Sequence, residues 1–136
     1  MKKKLLIIGG SGLLAVNWAF LAREQFEIVL GLHDRIISMD GVEIEKISIG
    51  SIKNLQNDFN RINPDIVVNA AGITSVEACE ENLYNAKKVN TVAASNIAIA
   101  CEEFNIKLVH ISSDHIFSGQ DQFSSESSKP SPLNNY

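Results

Sequence analysis

The sequence predicts an α/β fold, a doubly wound parallel sheet with helices on both faces. Two observations carry this. Short continuous apolar runs alternate with stretches of helical periodicity along the 136 residues, the pattern of strands buried on both faces and connected by crossover helices. Each run is followed by small or polar residues: Gly9–Gly12, His33–Arg35, Ala70–Gly72 and Ser112–Asp114. A parallel sheet gathers such segments at its carboxyl edge, where its ligands bind.

Lys4–Ile8 is the first predicted strand, an apolar run that stops at Gly9-Gly10. Leu13–Arg23 follows as a helix, with Leu14, Trp18, Leu21 and Ala22 at core-facing spacing. Glu27–Leu32 reads as a second buried strand. The link His33–Glu43 is too short and polar for a crossover helix, and Glu45–Ile49 is a weaker third strand. Ser51 is placed to cap a helix running to about Arg61, which Pro64-Asp65 closes. Ile66–Asn69 is the fourth strand. A long helix is expected from about Leu83 to Phe104, with Val89, Ala93, Ile97, Ala100, Cys101 and Phe104 on its inner face. Lys107–Ser112 is the fifth strand, and Ser113–Tyr136, rich in Ser, Pro and Asn, has no periodicity.

Composition narrows the classes of function. With 45% hydrophobic and 21% charged residues the chain has the makeup of a soluble domain with a core. A net charge of −4 without a basic stripe argues against nucleic-acid binding. The two cysteines, Cys79 and Cys101, lack metal-ligand spacing and read as core residues of a cytoplasmic protein. The apolar run after the amino-terminal lysines is too short for a signal peptide or a membrane span. No metal, nucleic-acid or membrane partner is expected.

The chemistry sits at the predicted strand ends. Gly9-x-x-Gly12-x-x-Ala15 lies between a strand and a helix. The first glycine suits a tight turn. The second lets backbone approach a pyrophosphate, which the free N–H groups of the helix start stabilise, and a small third residue lets helix and strand pack closely. This is the dinucleotide-binding turn of a Rossmann-type fold, so a nicotinamide cofactor is expected, with Gly9, Ser11 and Gly12 around it. His33, Asp34 and Arg35 end the second strand, where such folds read the adenosine ribose. Basic residues there suit the 2′-phosphate of NADP and an acidic one the 2′-hydroxyl of NAD, so NADP or NAD is expected, with a lean to NADP. Ala70, Ala71 and Gly72 leave room for a flat cofactor. Asn90 lies among apolar neighbours on the inner helix, as a buried amide or as support for the site. Ser112-Ser113-Asp114 ends the fifth strand, and a hydroxyl there with Tyr136 forms a candidate proton-transfer pair.

Taken together, Gly9–Ala15, Pro64–Gly72 (PDIVVNAAG), Thr74–Glu80 (TSVEACE), Val89–Asn90, Leu108–Gly119 (LVHISSDHIFSG) and Ser131–Tyr136 (SPLNNY) resemble the extended short-chain dehydrogenase/reductases. Within these the sequence is most similar to the dTDP-4-dehydrorhamnose reductase group. The resemblance implies a reductase of nucleotide-linked 4-keto deoxysugars. By it, Gly12, Leu13 and Leu14 would contact the cofactor pyrophosphate, and Ala70, Ala71 and Gly72 would line its ribose and nicotinamide side. Ser113 would hydrogen-bond the substrate carbonyl and Tyr136 would protonate it. Asn90 falls at the family's inner-helix asparagine.

Three departures from the family pattern bear on these expectations. The family motif runs Tyr-x-x-x-Lys, whereas the sequence stops at Tyr136. Residues 1–136 are thus expected to be an NAD(P)-binding Rossmann domain alone, without the carboxyl-terminal substrate domain, binding dinucleotide with negligible reductase activity. Ser48 stands where many members have an aspartate against the adenine. His33 stands where NADH-using members often have aspartate. A non-catalytic NAD(P)-binding regulatory protein, similar to the regulatory subunit of methionine adenosyltransferase, is the alternative. Whichever holds, the fifth strand would leave a sheet edge open, and a homo-oligomer that covers it is expected.

Overall fold

A computed structural model describes residues 1–120 and 122–136. Its parallel sheet has five strands in the order β3-β2-β1-β4-β5. These are β1 (Lys4–Ile8), β2 (Glu27–Leu32), β3 (Glu43–Lys46), β4 (Ile66–Asn69) and β5 (Lys107–His110). The helices are α1 (Leu13–Ala22), α2 (Ile52–Ile62), α3 (Val76–Glu81), α4 (Leu83–Ala86) and α5 (Ala94–Glu103), with a π-helical segment, Lys87–Ala93, joining the last two. The doubly wound α/β class is the one expected from the alternating pattern.

The period of two along β1 divides the core. Leu6 and Ile8 face α2 and α5, in a layer with Val29, Phe59, Val67 and Ile97. Leu5 and Ile7 face α1, with Ile28, Leu30 and Val68. Central strands therefore need apolar residues at every position, which is why β1, β2 and β4 are readable as unbroken runs. Arg61 ties the edge strand to α2, its guanidinium lying 2.7 Å from Glu45 and 3.1 Å from Asp58. Cys101 is buried in the α2–α5 layer, and burial pushes its thiol up to about 11, so it stays protonated at neutral pH.

Four local expectations are corrected. First, α1 does not pack through Leu14 and Leu21, which are 50% and 73% exposed. Its buried face is Ala15, Ala19 and Ala22, with Trp18 packed against the same layer. Second, β3 begins and ends earlier than Glu45–Ile49. Its ladder with β2 runs from Val29 opposite Glu43 to Leu32 opposite Lys46, and Ile47 and Ile49 pack against the core beyond the strand end. Third, Ser51 occupies the N-cap of α2 but makes no side-chain cap bond.

The fourth correction concerns the long helix from about Leu83 to Phe104, which keeps those bounds but contains the π-helical segment Lys87–Ala93 and is preceded by a short α3. The Ser75 hydroxyl accepts from Ala78 N at 3.1 Å and starts α3. Asn82 accepts from Asn85 N at 2.9 Å and starts α4. These side-chain caps separate α3 from the helix that begins at Leu83. The π-helical segment then adds backbone per turn and shifts the inner face, so Phe104 meets Phe59 edge-on at 6.3 Å while staying 38% exposed.

Phe59 and Leu21 should separate the real core from the apparent one. Phe59→Ala is expected to cost about 3–5 kcal/mol. Leu21→Ala should stay within about 0.5 kcal/mol. Urea denaturation followed by Trp18 fluorescence measures both, and equal losses would contradict the α1 packing.

Candidate functional site

The loops after β1 and β4 diverge to opposite sides of the sheet, which makes a crevice between them. At its floor they touch. Gly9 has φ +85°, and a Cβ there would lie 2.7 Å from Ala70 C and Ala71 N. Only glycine permits both the conformation and the contact. Gly12 N donates to Gly9 O at 2.9 Å, closing the turn. Gly12 is also the N-cap of α1, with no side-chain cap and no acidic residue in the first turn. The positive end of the helix dipole is therefore not offset by the protein's own groups. Leu13 beside it is 84% exposed. Ser11 lies inside the turn, half-buried.

Asn69 ends β4 as the buried polar side chain of the core. Its Oδ1 accepts from Ala71 N at 3.1 Å, which orients the loop. Its Nδ2 then faces Nδ1 of His110 at 3.1 Å. With Oδ1 committed to a backbone donor, Nδ2 is the donor, so His110 accepts at Nδ1 and its neutral ring carries the proton on Nε2. Asn90, in the π-helical segment, takes hold of the same loop further on. Its Oδ1 accepts from Ile73 N at 2.8 Å and its Nδ2 donates to Ile73 O at 3.1 Å. One amide thus satisfies both backbone groups of a residue outside any strand.

Ala70, Ala71, Gly72, Asn90, Ser113 and Tyr136 line one cavity of about 270 Å³. Residues from four distant parts of the chain converge there. Thr74, His110, His115 and Pro132 also line it, and sequence reasoning had singled out none of them. Ser113 caps a 3-10 turn, Asp114–Ile116, its hydroxyl accepting from His115 N at 3.2 Å. The Tyr136 ring meets His115 edge-on at 5.1 Å.

A second cavity of about 250 Å³ opens at the ends of β2 and β3, lined by Leu32, His33, Asp34, Ile36, Ile44, Glu45 and Lys46. His33 Nδ1 lies 2.9 Å from Asp34 Oδ2. Arg35 is exposed and is not part of the lining. Among the described residues, no group of three or more His, Cys, Asp and Glu could hold a metal ion. No described helix is long and apolar enough to cross a membrane.

A parallel sheet in this order, with a glycine turn after β1 and cavities along its carboxyl edge, defines the Rossmann-type class of NAD(P)-binding proteins. Residues 2–136 match the family model described as RmlD substrate binding domain, and the chain belongs to that family. The probable low-salt glycan biosynthesis reductase Agl14 of Haloferax volcanii is 28% identical over 131 residues, covering 96% of this chain and 44% of the relative. A hypothetical dTDP-4-dehydrorhamnose reductase from Sulfolobus tokodaii superposes with a TM-score of 0.87 at 29% identity, over 100% of this chain and 48% of that one. The dTDP-4-dehydrorhamnose reductase of Bacillus anthracis, solved with NADP, gives 0.83 at 26% identity, over 100% and 45%. The chain therefore spans less than half the length of these relatives.

The Gly9 contact makes a graded forecast. Gly9→Ala meets both a strained φ and a backbone clash, whereas Gly41→Ala, at φ +77° with nothing within 4 Å, meets only the strain. Gly41→Ala should cost about 1–2 kcal/mol. Gly9→Ala should cost about 1–3 kcal/mol more. Equal denaturation midpoints for the two variants would show that the loops do not touch at Gly9.

Proposed function

We propose that the chain is the cofactor-binding part of an NAD(P)-dependent reductase acting on nucleotide-linked 4-keto deoxysugars. One observation carries this reading. Ala70–Gly72, Ser113 and Tyr136 share a cavity, and the floor of that crevice abuts the Gly9 turn. Family membership and the NADP-bound Bacillus anthracis reductase support the same reading.

The residues present fit a dinucleotide. The Gly9–Gly12 turn and the first turn of α1, with Ser11, Leu13 and Leu14, would hold the pyrophosphate through backbone N–H groups that no side-chain cap occupies. His33 and Arg35 would meet the adenosine ribose, and Ala70, Ala71 and Gly72 would back the nicotinamide half. When bound, the cofactor supplies the hydride. Ser113 would hold the substrate carbonyl oxygen, and Tyr136 would pass its phenolic proton to that oxygen. Asn90 would keep the loop after β4 in place through Ile73. The cofactor domain would extend over residues 1–136, with cytoplasmic function and self-association through the β5 edge as parts of the same proposal.

NADP is the favoured form. Asp34 is engaged with the ring of His33 at 2.9 Å, the other acidic group of this cavity, Glu45, is paired with Arg61 at 2.7 Å, and Arg35 lies exposed beside them. Isothermal titration with NADPH and NADH should give heat for both and tighter binding for NADPH. Absence of heat and of any thermal shift with either would end the dinucleotide reading. His33→Asp puts a second carboxylate at this position and should weaken NADPH about tenfold, or roughly 1.4 kcal/mol, with little change for NADH. An unchanged ratio would remove His33 from the ribose site.

A further inference from the structure

We propose that Glu80 is a positioning residue for Tyr136. The inference rests on the reading of Tyr136 as the proton donor, and gives that same site a support. Residues 132–136 belong to no helix or strand. The last backbone anchor before them is Ser131 N donating to Ile116 O at 2.8 Å. Side chains must therefore order the segment that carries the phenol.

Glu80 supplies the strongest of these contacts. Its Oε1 accepts from the backbone N–H of Asn135 at 2.7 Å. Its Oε2 accepts from the side-chain amide of the same residue at 2.9 Å. Two bonds from one carboxylate to one residue fix orientation as well as distance, and a charged acceptor strengthens both. Asn135 directly precedes Tyr136. The other supports are local to the segment or weaker: Asn134 Oδ1 accepts from Tyr136 N at 3.2 Å, and the Tyr136 ring rests on the edge of His115.

The clamp also has a firm base. Cys79, next to Glu80 on α3, is fully buried. Its sulfur lies 3.9 Å from both Ile73 O and Asn90 Nδ2. The element that holds Asn135 is thus packed on the pair that holds the loop after β4. The loop after β4 and the segment before Tyr136 are thus tied to one support, Glu80 reaching Asn135 across 55 residues of sequence.

Nuclear magnetic resonance on the isotope-labelled chain, free and with NADPH, tests this. Tyr84, which is 79% exposed, serves as the internal control. Glu80→Ala removes both acceptors. The Tyr136 ring should then lose its Overhauser contacts to His115 and to the nicotinamide half of NADPH, while Tyr84 signals stay in place. Glu80→Gln should restore both sets, since its carbonyl still accepts from Asn135 N and its amide can donate once the Asn135 amide turns over. Asn135→Asp sets two carboxylates against each other and should reproduce the loss without touching α3. If Glu80→Ala fails to fold, Asn135→Asp decides alone. Tyr136 contacts that survive these substitutions overturn the proposal, as does loss in Glu80→Ala that Glu80→Gln fails to restore. The two readings fail separately. A wild-type chain that binds no dinucleotide sinks the reductase reading and Glu80's place in its chemistry, whereas binding with an indifferent Tyr136 sinks only the clamp.

Discussion

The site depends on one backbone contact. Two loops leave neighbouring strands in opposite directions, and they can share a floor only if nothing projects between them. The bare Cα of Gly9 against Ala70 and Ala71 meets that condition. The same glycine, at positive φ, turns the chain so that Gly12 closes on it and becomes the cap of α1. The floor of the crevice and the start of α1 thus both depend on one absent side chain.

Beyond the sheet, order passes from ladders to amides and carboxylates. Asn69 holds Ala71 and His110, Asn90 holds both backbone groups of Ile73, and Glu80 holds both donors of Asn135. Each does for a loop what a neighbouring strand does for β1. None of the three leaves a buried polar atom without a partner among the described residues, which is the condition for irregular backbone beside a cavity. The two amides, each with a donor and an acceptor, suit mixed partners, and the carboxylate of Glu80, an acceptor only, suits a pair of donors.

How much of this was legible follows from where the forces act. The bounds of β1, β2 and β4 could be read because strands buried on both faces admit no polar interruption. The bounds of β3 could not, since an edge strand takes its ends from β2 rather than from its own residues. Leucines on α1 misled because helical spacing marks a face without saying which one meets the sheet, and here the alanines do. Ser75 and Asn82 carried a signal, two caps in sequence, that the apolar spacing of the long helix masked. The glycine turn was plain from its place between strand and helix, and the family resemblance singled out Ser113 and gave it and Tyr136 their roles. His110 and Glu80 were hidden because their partners lie 41 and 55 residues away. No local pattern encodes such a pairing, although both residues lie inside stretches that carried the resemblance.

The alanine face of α1 links two properties that are commonly treated apart. Ala15, Ala19 and Ala22 set the distance between helix and sheet, and that distance also aims the first-turn N–H groups at the crevice. A methylene added at Ala15 would move the amino end of α1 outward while the rest of the core could stay closed. Drift at this position would be felt as fading attraction for an anion before it was felt as instability. The smallness of these side chains is a constraint on the electric field at the mouth of the crevice as much as on packing.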